Sequence, residues 1–214
     1  MLIVDTEQHP VDAQAAREIQ RRIDELQAVV EFDVAQALEA TGVSIVCGSF
    51  SSMMGGYLDR RRRLYLDPSA GYECFAHELG HWLYWRGQAY RHPRYPALID
   101  RAVSTITPVL AFEWTADELK TLAPVFKQAR SRREAWARLF EQAIALRLAR
   151  RGTVTPLCVW PFRALAKGPA FWSSAVWERE RLEPDTNEIL KDLGQRLRGR
   201  EQQNERFDSD NTTD

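Results

Sequence analysis

His77-Glu78-Leu79-Gly80-His81 lies inside an apolar run, with Cys74-Phe75-Ala76 before it and Trp82-Leu83 around its end. This HExxH spacing constrains the chain more than any other feature of it. On a helix, residues four apart are neighbours with Cβ atoms about 5–6 Å apart, so two imidazoles can converge on one cation. Zinc accepts imidazole nitrogens at about 2.0–2.1 Å. Glu78 directly follows His77 and so projects beside such an ion rather than onto it, where it can take a proton from water. A zinc ion lowers the pKa of water from near 16 toward about 7, which lets a carboxylate complete that transfer at neutral pH. The chain has four histidines, and two of them are in this motif. Gly80 costs about 1 kcal/mol in a helix interior. Close packing of a strand or a ligand against the helix is the natural compensation.

The rest of the chain is read around that helix, expected over about residues 72–85. Ala15, Ile19, Ile23, Leu26, Val29 and Val30 fall at helical spacing, which predicts one long helix or two short ones over 11–40. Thr41-Gly42 ends the run, with glycine at the position after the cap. Val43 to Cys47 is short and β-branched and reads as a strand. A strand pair follows around Tyr57-Leu58 and Leu64-Tyr65-Leu66, joined across Asp59 and the arginines 60–63. Further helices are expected at 97–106, 115–128, 131–150 with Ser131 as N-cap, and 184–197 with Asp185 or Thr186 as cap. The segment 152–172 reads as irregular, and the polar tail from Gly199 as disordered. The expectation is one α+β domain over 1–198: a helical segment 11–42, a catalytic core 43–150 and an extension 151–198. The tail 199–214 follows.

Composition narrows the class. An apolar fraction of 44% over 214 residues supports a real core. No stretch approaches the ~20 apolar residues of a membrane span, and the opening MLIVDTEQHP has no secretory pattern. With 29 basic and 30 acidic residues, the net charge of −1 exerts no pull toward nucleic acid or anionic lipid. The three cysteines, Cys47, Cys74 and Cys158, form no CxxC pair, which points to a reducing cytoplasm rather than a disulfide framework.

A catalytic zinc site takes three protein ligands and leaves a position open. The longer pattern HExxHxxGxxH fails, because Tyr84 and Gly87 stand where Gly and His would be needed. Four candidates for the third ligand remain. His92 lies in a Pro-flanked loop and reads as a surface residue. Glu113 begins an ExxxD arrangement with Asp117, which could orient a histidine. Glu134 opens a long amphipathic helix anchored by Trp136, Leu139 and Phe140. Glu141 lies on roughly the same face two turns on and is expected to pair with an arginine. Either Glu113 or Glu134 could equally be a carboxylate complementing a helix N-terminus. Cys74, one turn before His77, could approach the metal as a thiolate but reads as a buried apolar cysteine.

HELGH, followed some fifty residues later by Glu134-Ala135-Trp136-Ala137-Arg138-Leu139-Phe140-Glu141, resembles minimal gluzincin metallopeptidases. These include lethal-factor-like toxins and the zincin-like domains of phage and plasmid proteins, such as the ArdC-type antirestriction group. The resemblance spans about residues 43–150. It implies a zincin-like fold, with a small twisted, mainly antiparallel sheet against the HExxH helix. It also implies Zn²⁺ held by His77, His81 and Glu134, with Glu78 as base for peptide-bond hydrolysis. Toxin-like members carry a tyrosine about seven residues before the glutamate, where this chain has Lys127. Tyr90, Tyr95 or an arginine are the candidates for stabilising an oxyanion instead. The alternative implied is a non-proteolytic binding or antirestriction factor on the same scaffold.

A protein or peptide substrate is therefore expected, with no membrane as partner and nucleic acid left open as the less favoured one. Zincins bind an extended peptide along the edge strand beside the active helix, a form of β-augmentation. The candidate edge is Arg63-Leu64-Tyr65-Leu66, with Leu64, Tyr65 and Leu66 contacting substrate. The arginines 60–63 could attract acidic groups or simply decorate a solvated hairpin tip. Trp82, Trp85, Trp136, Trp160, Trp172 and Trp177 read as core or as subsite walls.

Overall fold

The computed structural model describes residues 2–4, 13–48, 55–67, 71–111, 131–152 and 174–210. Strand β1 (Leu2–Val4) is followed by helices α1 (Ala13–Gln27) and α2 (Val34–Ala40), then strands β2 (Ser44–Cys47), β3 (Gly55–Leu58) and β4 (Arg63–Leu66). Helices α3 (Tyr72–Trp85), α4 (Tyr95–Ala111), α5 (Arg132–Arg150), α6 (Ser174–Arg179) and α7 (Leu182–Asp210) complete the described chain. The architecture is mixed α and β.

The 11–40 region forms two helices because Gln27 closes the break between them. Its amide donates to Phe32 O at 2.7 Å and accepts from Val34 N at 2.6 Å. Asp33 then caps α2, accepting from Gln36 N at 2.9 Å. Gly42, at φ +68°, takes the left-handed turn that ends α2. Thr41 is tied to α3, since its hydroxyl accepts from Trp82 Nε1 at 3.0 Å.

The four strands are ordered β1-β2-β4-β3. β1 pairs with β2 in parallel, β2 with β4 in parallel, and only β3 with β4 antiparallel. The sheet is thus mixed and mostly parallel, not mainly antiparallel. The cause lies in two crossovers. The chain passes through α1 and α2 between β1 and β2, and a parallel pair needs such a long connection. After β2 it lays down β3 at the far edge and returns through a tight 3₁₀ turn (Asp59–Arg61), with Arg62 at φ 51°. This return inserts β4 between β2 and β3. The expected edge strand is therefore interior, and Leu64, Tyr65 and Leu66 are buried. A run of three consecutive buried residues suits a strand covered on both faces. The half-exposed Gly55-Gly56-Tyr57-Leu58 is the edge on that side, and β1 is the other.

The last helix begins at Leu182, so Asp185 and Thr186 lie in its first turn rather than capping it. It also runs to Asp210, well past the expected 197, where the sequence is rich in Arg, Glu and Gln and contains no proline. Asp185 is used for tertiary contact, accepting from Arg94, just before α4, at 2.9 Å and pairing with Arg101 on α4. One cluster of buried apolar residues extends from Ile23 to Leu197 and holds Trp82, Phe75, Leu79, Trp136, Leu139 and Phe140 at its centre. No helix among the described residues is long and apolar enough to cross a membrane.

Candidate metal centre

Helices α3 and α5 build the centre, and their approach is set by Gly80. A Cβ placed there would lie 2.8 Å from the Ala137 Cα and 3.2 Å from its carbonyl oxygen. The compensation for a mid-helix glycine is thus a crossing helix, not a strand or ligand. Ser131 caps α5 as expected, accepting from Glu134 N at 3.3 Å. This places Glu134 in the first turn of α5, facing the HExxH motif.

His77 Nε2 lies 3.1 Å from Glu134 Oε1, and His81 Nε2 lies 3.4 Å from Glu134 Oε2. The rings of His77 and His81 meet edge to face with centroids 4.8 Å apart. One ligand atom from each of His77, His81 and Glu134 lies within 4.8 Å of the others. Two ligands about 2.0–2.1 Å from a tetrahedral ion are about 3.3–3.4 Å apart. The two histidine–Glu134 distances match that spacing, while the group as a whole spreads to 4.8 Å and would contract around an ion. The donor set, two imidazoles and a carboxylate, is of the kind catalytic zinc uses. His77, Glu78 and Glu134 are buried, whereas His81 is partly exposed, so the group opens toward solvent on the His81 side.

Behind the trio stand two residues of α5. Glu141 Oε2 lies 3.1 Å from His77 Nδ1. The expected arginine partner is therefore replaced by a histidine, because seven residues after Glu134 the α5 face still points at α3. Arg138, four residues after Glu134, donates to Glu134 Oε1 at 2.9 Å. Neither contact was evident from sequence, although the i, i+4 and i+7 spacing from Glu134 was a usable signal.

The electrostatics follow from this packing. Burial opposes charge on His77, but hydrogen bonds to Glu134 and Glu141 outweigh it and raise its pKa to about 9. Burial likewise works against the Glu134 carboxylate, yet His77, His81 and Arg138 hold it well below the usual carboxylate range. Complete burial pushes Glu141 upward despite the pull of His77 and Arg138. Glu78 is buried and makes no hydrogen bond or ion pair with the described residues. It lies against β3, where a Cβ on Gly55 would sit 3.4 Å from Glu78 Cγ and 2.6 Å from Cys74 Sγ.

The other candidates lie apart from this group. His92 Nδ1 accepts from Arg94 N at 3.2 Å. Glu113 and Lys127 fall outside the described residues, as do Cys158, Trp160 and Trp172. Cys74 is buried, its thiol pushed far up by burial, and it is not one of the converging ligands. Tyr95 is buried and donates its hydroxyl to Arg132 O at 3.0 Å, so it anchors α5 instead of facing a substrate. Tyr90 is exposed and packs on Tyr84. Trp82, Trp136 and Trp177 are core, and Trp85 is exposed.

No protein-family model matches the chain, and neither a characterised protein nor a solved structure is significantly similar to it.

Proposed function

We propose that this chain is a zinc-dependent metallopeptidase of the gluzincin type, acting in the cytoplasm. The observation that carries the reading is the convergence of His77, His81 and Glu134, drawn from two helices, beside the buried Glu78. Both cysteines among the described residues, Cys47 and Cys74, are free and buried, as suits a reducing compartment.

When bound, zinc supplies a Lewis acid that polarises the scissile carbonyl and acidifies water. His77, His81 and Glu134 would hold the ion, the imidazoles through ring nitrogens and Glu134 as the carboxylate ligand. Glu141 fixes which His77 nitrogen faces the site by holding the other one. Glu78 accepts a proton from the attacking water on a carboxylate oxygen and returns it to the leaving amine. Burial excludes bulk water from the His77 side, and the partly exposed His81 marks the side of entry.

Glu78→Gln separates metal binding from chemistry. The variant is expected to retain stoichiometric zinc at neutral pH while cleavage of unfolded casein falls by about 10²–10⁴-fold. Purified wild-type protein without zinc would end the metal reading. A biological activity indifferent to Glu78→Gln would favour a binding role on the same scaffold.

A further inference from the structure

Edge strand β3 runs along α3 in the same direction. Gly55 lies against Cys74 and Glu78 at one end. At the other, Asp59 pairs with Arg86 at 2.8 Å, just past the end of α3. The general base therefore sits beside the start of β3, and the strand's far end lies about three residues, roughly 10 Å, further on.

At that far end is an open cleft of about 700 Å³. Leu58, Arg60 and Arg61 form one wall, while Trp85 and Arg133 come from the helices that carry the ligands. Trp85 is one helical turn beyond His81, and Arg133 immediately precedes Glu134. Leu58 and Trp85 are both 44% exposed, unusual for such large apolar groups. Arg60, Arg61 and Arg133 are exposed and form no ion pair among the described residues. The acid in the cleft, Asp59, is already engaged by Arg86 and accepts from the Tyr57 hydroxyl at 3.0 Å. The arginine run thus divides. Arg62 turns away, with its guanidinium 3.1 Å from the place a Cβ would occupy on Gly42. Arg60 and Arg61 join Arg133 in a positive field over an apolar floor.

Resting on the hydrolase reading above, we propose that this cleft is the specificity subsite for acidic side chains of an extended peptide. The acidic residue would lie about three positions along the chain from the bond that is cut. Two features select a peptide over a nucleic acid. The outer edge of β3 has no strand partner among the described residues, and its backbone groups match those of an extended polypeptide. The cleft also continues that edge, so backbone pairing delivers side chains into it. The arginines then discriminate by charge, while Leu58 and Trp85 hold the aliphatic stem of glutamate.

The test uses the full chain carrying Glu78→Gln, with and without zinc. Fluorescence anisotropy follows short labelled peptides that are identical except for Glu, Gln or Lys at alternate positions. The Glu peptide is expected to bind at least about fivefold more tightly than its Gln counterpart. That advantage should shrink as salt is raised. Arg60→Gln, Arg61→Gln and Arg133→Gln together should abolish it without changing zinc content. The corresponding three lysine substitutions should preserve it, which separates lost charge from a damaged fold. Equal binding of Glu and Gln peptides, or no peptide binding, overturns the proposal. So does a preference that survives the Gln triple, or tighter binding of a labelled single-stranded oligonucleotide. Missing zinc or inert wild-type protein would instead overturn the hydrolase reading alone, because the acidic preference is measured independently of turnover.

Discussion

Glu141 is buried alongside His77, and no other partner of that imidazole's Nδ1 is found among the described residues. A carboxylate on the far nitrogen fixes the tautomer that offers Nε2 outward and strengthens it as a ligand. Glu141→Gln keeps the shape and an acceptor oxygen but removes the charge. Zinc affinity should fall by about tenfold, measured by competition with a chromogenic chelator. Melting of the metal-free protein should stay level or rise, since a neutral amide is cheaper to bury than a carboxylate. A purely structural Glu141 would give the reverse: unchanged affinity and a lower melting temperature. At this scale helical spacing already puts His77 and His81 on one face, whereas Glu134, on another helix, is implied only by the family resemblance; the structure brings the three together. The sequence was silent on Glu141's partner, which depends on how α5 is rotated against α3.

Between elements, the decisive contact is Gly80 on Ala137. A glycine-to-alanine change in a helix interior ordinarily stabilises by about 0.5–1 kcal/mol. Here the added methyl meets backbone at 2.8 Å, which cannot swing aside as a side chain would. Gly80→Ala should therefore destabilise by about 1–3 kcal/mol net, read from urea unfolding. It should also weaken zinc, because parting α3 from α5 draws Glu134 away from both imidazoles. An unchanged zinc affinity in a folded Gly80→Ala protein would mean that the crossing does not set the ligand geometry. The glycine's oddity was visible in the sequence, but the identity of its neighbour was not, since nothing local in α3 specifies a partner so distant in the chain. The same limit governs the sheet. The hairpin of Tyr57-Leu58 and Leu64-Tyr65-Leu66 was readable from its turn and its apolar pattern. The insertion of β4 between β2 and β3 is a non-local pairing, and its one local trace was the unbroken burial of Leu64, Tyr65 and Leu66.

Across the whole molecule, the centre joins parts of the chain with little else to align them in the unfolded state. His77 and His81 are held on a helix against the sheet, and Glu134 starts a helix that also contacts the α1–α2 link and α7. Arg147 on that helix donates to Val29 O and to Asn187 Oδ1, each at 2.8 Å. Without a cation, Glu134 is balanced by histidine hydrogen bonds and by Arg138, at the cost of keeping charged groups out of water. Zinc bound only by the folded chain replaces those contacts with stronger ones, and its binding free energy adds to stability. At free zinc about a thousand times the dissociation constant the gain is about 4 kcal/mol. For a chain of this size each kcal/mol moves the melting temperature by about 2–4 °C. Calorimetry should therefore show zinc raising the transition by about 8–16 °C, with a strong chelator restoring the metal-free value. His81→Ala should remove most of that shift, and should also lower the metal-free transition, since it deletes the contacts of His81 with Glu134 and the His77 ring. A wild-type transition indifferent to zinc and chelator alike would mean that the converging side chains serve only as a buried ion-pair network.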